Sequence, residues 1–353
     1  TGEKVVVEIV EWSEGNNNPV GKVIDVLGMA GENEAEMHAI LAEYGLPLEF
    51  PPEVEQEAQQ FIPSAKSKVG LDKKEIAKRR DMRDVLTMTI DPADAKDFDD
   101  ALSLQKLKNG NIEVGIHIAD VSYYVKPGSA IDDEAISRAT SVYLVDRTIP
   151  MLPEVLSNDL CSLRPNEDKF AFSAVFEMDE EANVINEWFG RTVIHSDRRF
   201  AYEDAQVRLE TGEGDLADEL ALMFKLATKL RENRFENGGI DFNTEEVRFE
   251  LDESGKPLRV VIKRMRESNK LIEDFMLLAN VRVARFLAKV HPEKKTPTRT
   301  SIYRVHDNPD PEKLQTLRVF VRRFGHELPK PQKGNAEALI RDLLKATAGT
   351  PEE

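Results

Sequence analysis

Apolar and polar positions alternate at the start of the chain. Val5, Val7 and Ile9 fall on one side of an extended segment and Val6, Glu8 and Val10 on the other, which predicts a strand. Gly15-Asn16-Asn17-Asn18-Pro19 predicts a turn, and the run Val20–Gly28 a second strand. The period then changes. Met37, Ile40, Leu41 and Tyr44 stand at i, i+3, i+4 and i+7, so a helix is predicted over Asn33–Tyr44. Asn33 with Glu36 suits a capping box, and Gly45 suits the C-terminal cap. Two strands cannot make an independent sheet, so further strands are expected upstream and the chain reads as part of a longer protein.

Residues 49–84 open on Pro51-Pro52, are rich in charge and read as a connector. A larger α/β pattern starts near Val85. Strands are predicted at Ile112–Ala119, Ala171–Glu177 and Val193–Tyr202, and as a pair at Glu246–Leu251 and Leu258–Lys263. Helices are predicted at Asp132–Ala139, Leu216–Glu236, Ser268–Lys289, Pro311–Phe324 and Asn335–Ala348. On the helix from Ser268, Asn269, Glu273 and Asn280 fall within roughly 40° of one another. Asp274, Arg282, Arg285 and Lys289 gather on the opposite side, which reads as the solvated face. A second polar stripe on an otherwise apolar helix calls for partners or a ligand.

Composition narrows the class. The chain has 353 residues, 41% hydrophobic and 32% charged, enough for two or three packed domains. Its net charge of -17 argues against a simple nucleic-acid coat protein, which needs a basic surface. Basic clusters are local, among them Lys78-Arg79-Arg80 and Arg198-Arg199, and each reads by itself as a solvated face. A single cysteine, Cys161, excludes an internal disulfide framework and fits a reducing cytosol; it reads as a buried small side chain. No apolar run reaches membrane-spanning length, and the first residues lack the features of a signal peptide. A cytoplasmic protein without a membrane partner is expected.

The stretch TIDPADAKDFDDA (Thr89–Ala101) holds Asp91, Asp94, Asp97, Asp99 and Asp100 with one base, Lys96. Like charges this close raise one another's pKa unless solvent, basic partners or a cation relieve them. Internal pairing cannot neutralise five carboxylates. A solvated acidic loop and a hard-cation site both remain open, but a calcium EF-hand loop fails. Started at Asp91, its third, fifth, sixth and twelfth positions would be Ala93, Ala95, Lys96 and Leu102. Asp91-Pro92 favours a turn feeding a strand. In an extended segment Asp97 and Asp99 would face one way and Asp100 the other, so convergence requires an irregular loop. His117, inside a strand, reads as a packed histidine.

Seven segments in order resemble one family: TIDPADAKDFDDAL, HIADVSYYV (His117–Val125), TSVYL (Thr140–Leu144), IPMLPEVLSNDLCSL (Ile149–Leu163), FENGGIDF (Phe235–Phe242), LIEDFMLLAN (Leu271–Asn280) and YRVHDNP (Tyr303–Pro309). They resemble the catalytic domain shared by ribonuclease II and ribonuclease R, with wording closer to ribonuclease R. The resemblance implies an α+β fold with a mixed or antiparallel sheet and packed helices over residues 85–353. Residues 1–48 would be the end of an OB-like cold-shock domain. It implies 3′-to-5′ hydrolysis of single-stranded RNA to nucleoside 5′-monophosphates with magnesium. Asp91, Asp97, Asp99 and Asp100 match the family's metal site, with Asp99 the most critical for chemistry, while Asp94 falls outside the pattern. Tyr143 and Phe242 match aromatics that clamp the terminal base. Tyr202 and Glu273 match positions that touch ribose, and Asn280 shares the Glu273 stripe. Arg304 and His306 match a family segment without an assignable role. The chain lacks the family's HFTSPIRRY-like arginine segment and S1 domain, so by itself it is expected to be inactive or severely impaired.

Overall fold

The structure is a computed structural model that describes residues 2–12, 18–62, 71–239, 246–252, 255–288, 302–305, 309–329 and 336–350. Strands β1 (Glu3–Glu11) and β2 (Val20–Met29) form an antiparallel hairpin, and α1 (Asn33–Glu43) packs against it. Most apolar side chains of the hairpin are exposed, Val7, Ile9, Val23, Ile24 and Val26 among them. The expected capping box does not form: Glu32 is the N-cap, without a side-chain cap. Glu36 instead reaches back to the Gly31 amide (2.9 Å) and to Lys4, while Asn33 donates to Asp146 (2.9 Å). Gly45 does take the left-handed backbone that ends the helix.

Residues 49–84 hold α2 (Pro52–Gln59), α3 (Lys73–Ile76) and the short strand β3 (Arg80–Asp81). β4 (Thr87–Asp91), β5 (Asp100–Lys106) and β6 (Ile112–Ala119) follow. Next come α4 (Val121–Tyr124), α5 (Ala130–Arg138), the two-residue strands β7 (Val142–Tyr143) and β8 (Thr148–Ile149), and a wide π-type turn at Val155–Leu160. β9 (Asp168–Met178), β10 (Val184–His195) and β11 (Arg198–Ala201) complete the main sheet. Then follow α6 (Tyr202–Thr211), α7 (Ala217–Glu236), the hairpin β12 (Glu246–Leu251) and β13 (Pro257–Lys263), α8 (Glu267–Ala288), α9 (Pro311–Arg322) and α10 (Ala336–Thr347).

The main sheet has seven strands in the order β11-β4-β5-β6-β9-β10-β3. Its β10–β3 and β11–β4 pairs are parallel and the rest antiparallel. The fold is thus α+β with a mixed sheet. The sheet must be strongly curled. β10 and β11 lie five strand spacings apart in that order, roughly 24 Å if the sheet were flat. Yet only Ser196 and Asp197 join them, a reach of at most ~11 Å. Asp197 closes the seam by donating its amide to the Thr87 carbonyl (2.8 Å) and accepting the Thr87 amide at its carboxylate (2.9 Å). The single strand expected over Val193–Tyr202 is therefore two strands on different partners, and Tyr202 begins a helix.

The curl creates two cores. One face, with Met88, Ile90, Leu102, Leu104, Ile116 and Phe176, packs on Leu220 and Met223 of α7 and Leu271 and Phe275 of α8. The other face, with Ala101, Val175 and Ile194, packs on Val54 of α2, Tyr124 of α4 and Ile131 of α5. His117 is fully buried between the Ser173 and Ser103 hydroxyls (2.6 and 2.8 Å), and burial lowers its pKa to about 3. It is a neutral, packed histidine. Cys161 is buried too, which pushes its thiol up to about 12 and makes it a poor nucleophile.

Candidate functional site

The aspartates sit where β4 and β5 part. Thr87 pairs with Ser103 and Met88 with Leu102, a register that aims Asp91, the last residue of β4, at the start of β5. Asp100 opens β5, and Asp97 and Asp99 lie in the irregular loop between the strands. That loop is held from several sides. The Phe98 amide donates to Ser162 Oγ (3.0 Å), and Ser162 Oγ donates to the Lys96 carbonyl (3.2 Å). The Leu163 amide reaches the Phe98 carbonyl (2.8 Å), and the Ala119 amide reaches that of Asp99 (3.0 Å). Arg199 Nη2, from β11, donates to the carbonyls of Pro92 (2.6 Å) and Ala93 (3.0 Å). Asp94 points away and pairs with Arg248 of β12, apart from the other four.

Of the four acids Asp91 is buried, Asp97 and Asp100 are half-buried, and Asp99 is exposed. Asp91 is 7% exposed, and burial, with repulsion from Asp100 and Asp99, pushes its carboxyl up to about 7 against the Thr89 hydroxyl and the pull of Arg199. Burial and then Asp99 push Asp100 up to about 6; burial and then Asp97 raise Asp99. Among the described residues, Asp91 Oδ2 and its neighbour Thr89 Oγ1 are buried without a well-formed hydrogen bond. Among the same residues, no three Asp, Glu, His or Cys side chains already stand as a closed ligand set. Still, an all-oxygen donor group with an unpartnered buried carboxylate oxygen is the chemistry a hard divalent cation takes. The residues fit such an ion, with its remaining positions left to water and phosphate.

Two aromatic side chains border the acids. Tyr143, on the β7–β8 hairpin, is 70% exposed; burial of its hydroxyl end and the charges of Asp97 and Asp99 raise its pKa. Tyr202, the first residue of α6, is half-buried, and burial with the fields of Asp100 and Asp91 pushes it up to about 12. The N-terminus of α8 is tied to Tyr202 through Ser268 Oγ, which donates to the Tyr202 carbonyl (3.0 Å). Glu273 and Asn280 are exposed on α8, and the Glu273 carboxylate lies 3.9 Å from Arg234. Asn269 does not share their exposed stripe; its side chain accepts the Arg266 amide (3.0 Å). Asp274 is not on a solvated face. It is 2% exposed and clamped by Arg231 (2.9 Å) and Arg234 (3.0 Å) of α7. Phe242 and His306 lie outside the described residues, and Arg304 is exposed.

Arg199, Ser162 and Arg248 are the residues of the loop's surroundings that sequence reasoning missed. Arg199 stood in a basic pair whose members read as solvent-facing. Only Arg198 behaves so, pairing with Asp215 (2.7 Å). The alternation of β11 carried the signal: Arg199 and Arg198 must point to opposite faces.

A curled mixed sheet with an acidic loop at the parting of two strands, preceded by a small β unit, defines the class. Residues 79–352 match the RNB domain and residues 1–51 the cold shock domain. The chain belongs to the RNB-domain family. It is 39% identical over 331 residues to ribonuclease R of Thermotoga maritima, covering 92% of this chain and 45% of that protein. It is 35% identical over 365 residues to a protein of Arabidopsis thaliana named an inactive exonuclease DIS3L2, covering 98% of this chain and 33% of that one. Mycoplasma genitalium RNase R in complex with ribose-methylated single-stranded RNA matches in structure with a TM-score of 0.85 and 27% identity. That match covers 99% of this chain and 53% of the other. The chain spans less than half the length of these curated relatives. No helix among the described residues is long and apolar enough to cross a membrane.

Proposed function

We propose that the chain carries the catalytic centre of a cytoplasmic, processive 3′-to-5′ exoribonuclease that hydrolyses single-stranded RNA to nucleoside 5′-monophosphates with magnesium. The observation that carries the reading is four neighbouring carboxylates, among the described residues without an ion-pair partner, gathered at the buried Asp91, whose Oδ2 makes no well-formed hydrogen bond. Asp91, Asp97, Asp99 and Asp100 hold the ion. When bound, magnesium polarises the scissile phosphate and supplies a hydroxide nucleophile. The chain's own residues do the rest. Tyr143 presents an exposed ring beside the acids, suited to stacking on a terminal base together with Phe242; stacking accepts any base. Tyr202 at the inner wall and Glu273 and Asn280 on α8 touch ribose, where the 2′-hydroxyl separates RNA from DNA.

A second reading is a non-catalytic RNA-binding protein of the same fold, favoured by the relative named as inactive. The acids distinguish the two. In the full-length gene product, Asp99→Asn should still bind 5′-labelled single-stranded RNA but no longer shorten it in a ladder. Unchanged laddering by the variant refutes the role of Asp99. No laddering by the wild type, with RNA still bound, favours the second reading.

A further inference from the structure

Arg199 is placed oddly for a basic residue beside an acidic cluster. Among the described residues, no carboxylate lies within salt-bridge distance of it, and its buried Nε has no hydrogen-bond partner. Its guanidinium instead spends two N–H groups on the carbonyls of Pro92 and Ala93, at 2.6 and 3.0 Å, and lies 5.5 Å from the centre of the Phe98 ring. β11 runs parallel to β4, with Arg199 level with Thr89 and Ala201 level with Asp91, so the side chain reaches forward along the strand to the turn that follows Asp91. The Pro92 carbonyl also accepts the Ala95 amide (3.1 Å). One amino group, Nη2, therefore ties the two peptides by which the chain reverses after Asp91, while the guanidinium carbon faces the Phe98 ring, between Asp97 and Asp99 in the chain.

We infer that Arg199 is a positioning residue for the cation site: its Nη2 amino group, held in the guanidinium plane, sets the turn that returns Asp97, Asp99 and Asp100 toward Asp91. The inference rests on the reading of these aspartates as a cation site. Geometry, rather than charge, is the working part. Lysine would keep the charge, but its ammonium sits on a flexible stem and lacks the guanidinium plane that fixes the directions of the two Nη2 N–H bonds.

The test is Mn2+ binding by the chain, followed by calorimetry, together with amide hydrogen exchange over residues 92–98. Arg199→Lys should weaken Mn2+ binding about tenfold or more and speed exchange at Ala95 and Phe98, and Arg199→Gln should do the same. A purely structural role would lower the melting temperature of both variants while leaving the Mn2+ affinity of the folded protein unchanged, and that result overturns the inference. So does an Arg199→Lys variant that binds Mn2+ like wild type, because charge alone would then suffice. Failure of both variants to fold would make Arg199 a general structural residue and overturn it too. Absence of saturable Mn2+ binding by the wild type sinks the cation reading itself and the inference with it. Normal wild-type binding beside an unaffected lysine variant sinks only the role of Arg199.

Discussion

Two groups of charge, each around one buried aspartate, lie at the rims of the same sheet, and they are treated oppositely. Around Asp120 every charge is matched. Asp120 is 3% exposed and takes Arg79 at 2.8 Å and Arg191 at 3.3 Å, while Ser122 Oγ donates to it at 2.6 Å. Arg79 also meets Glu75 (3.0 Å), packs over the Phe170 ring (4.1 Å) and so pins α3 and β3 onto the sheet. Around Asp91 the acids outnumber the bases; among the described residues no ion pair meets Asp91, and the nearby arginine is turned to main-chain carbonyls. The matched cluster holds architecture. On the proposed reading, the unmatched one is completed by a bound cation.

Removing one member of each cluster should separate them. Arg79→Met leaves the buried Asp120 to Arg191 and Ser122 alone and should cost about 3 kcal/mol of stability, read by urea unfolding. A loss below about 1 kcal/mol would erase the contrast. Asp91→Asn should do the reverse. An unfolded aspartate titrates near 4, and burial lifts this one to about 7. The folded carboxyl therefore resists ionising, and stability drains away as pH rises from about 4 through 7. The asparagine variant should match wild type at pH 4 and exceed it at pH 8 by on the order of 4 kcal/mol without metal. A destabilised variant at pH 8 would mean that the carboxylate is already paired.

Smaller effects probe the borders of the site. Tyr143→Ala should weaken single-stranded RNA binding about tenfold without moving the melting temperature, since the ring is exposed. Equal binding would remove Tyr143 from the site. Asp94→Ala breaks an exposed pair with Arg248 and should cost no more than about 0.5 kcal/mol, with no change in cation binding. A cation-binding defect there would return Asp94 to the ligand set.

Local pattern carried much of this in the sequence. β6 spans the predicted Ile112–Ala119, and the β12–β13 pair was visible in its alternation. The acidic loop declared itself by charge density and failed calcium spacing. What escaped depended on distant partners. Asp274 looked solvent-facing because nothing near it shows that α7 brings Arg231 and Arg234 onto it. The Val193–Tyr202 run looked continuous because each half is extended, and only the closing of the curled sheet divides it. Arg199 was hidden for the same reason: its partners are carbonyls about a hundred residues away, which no side-chain pattern records.

Completion of the unmatched aspartates by a divalent cation is the central proposal. Thermal unfolding at pH 8 over a Mg2+ titration tests it most directly, with wild type beside an Asp91→Asn/Asp100→Asn variant. The expected result is a saturable rise in the wild-type melting temperature with added Mg2+ and a flat response from the variant. Parallel curves for the two proteins, or a flat wild-type response, would contradict it.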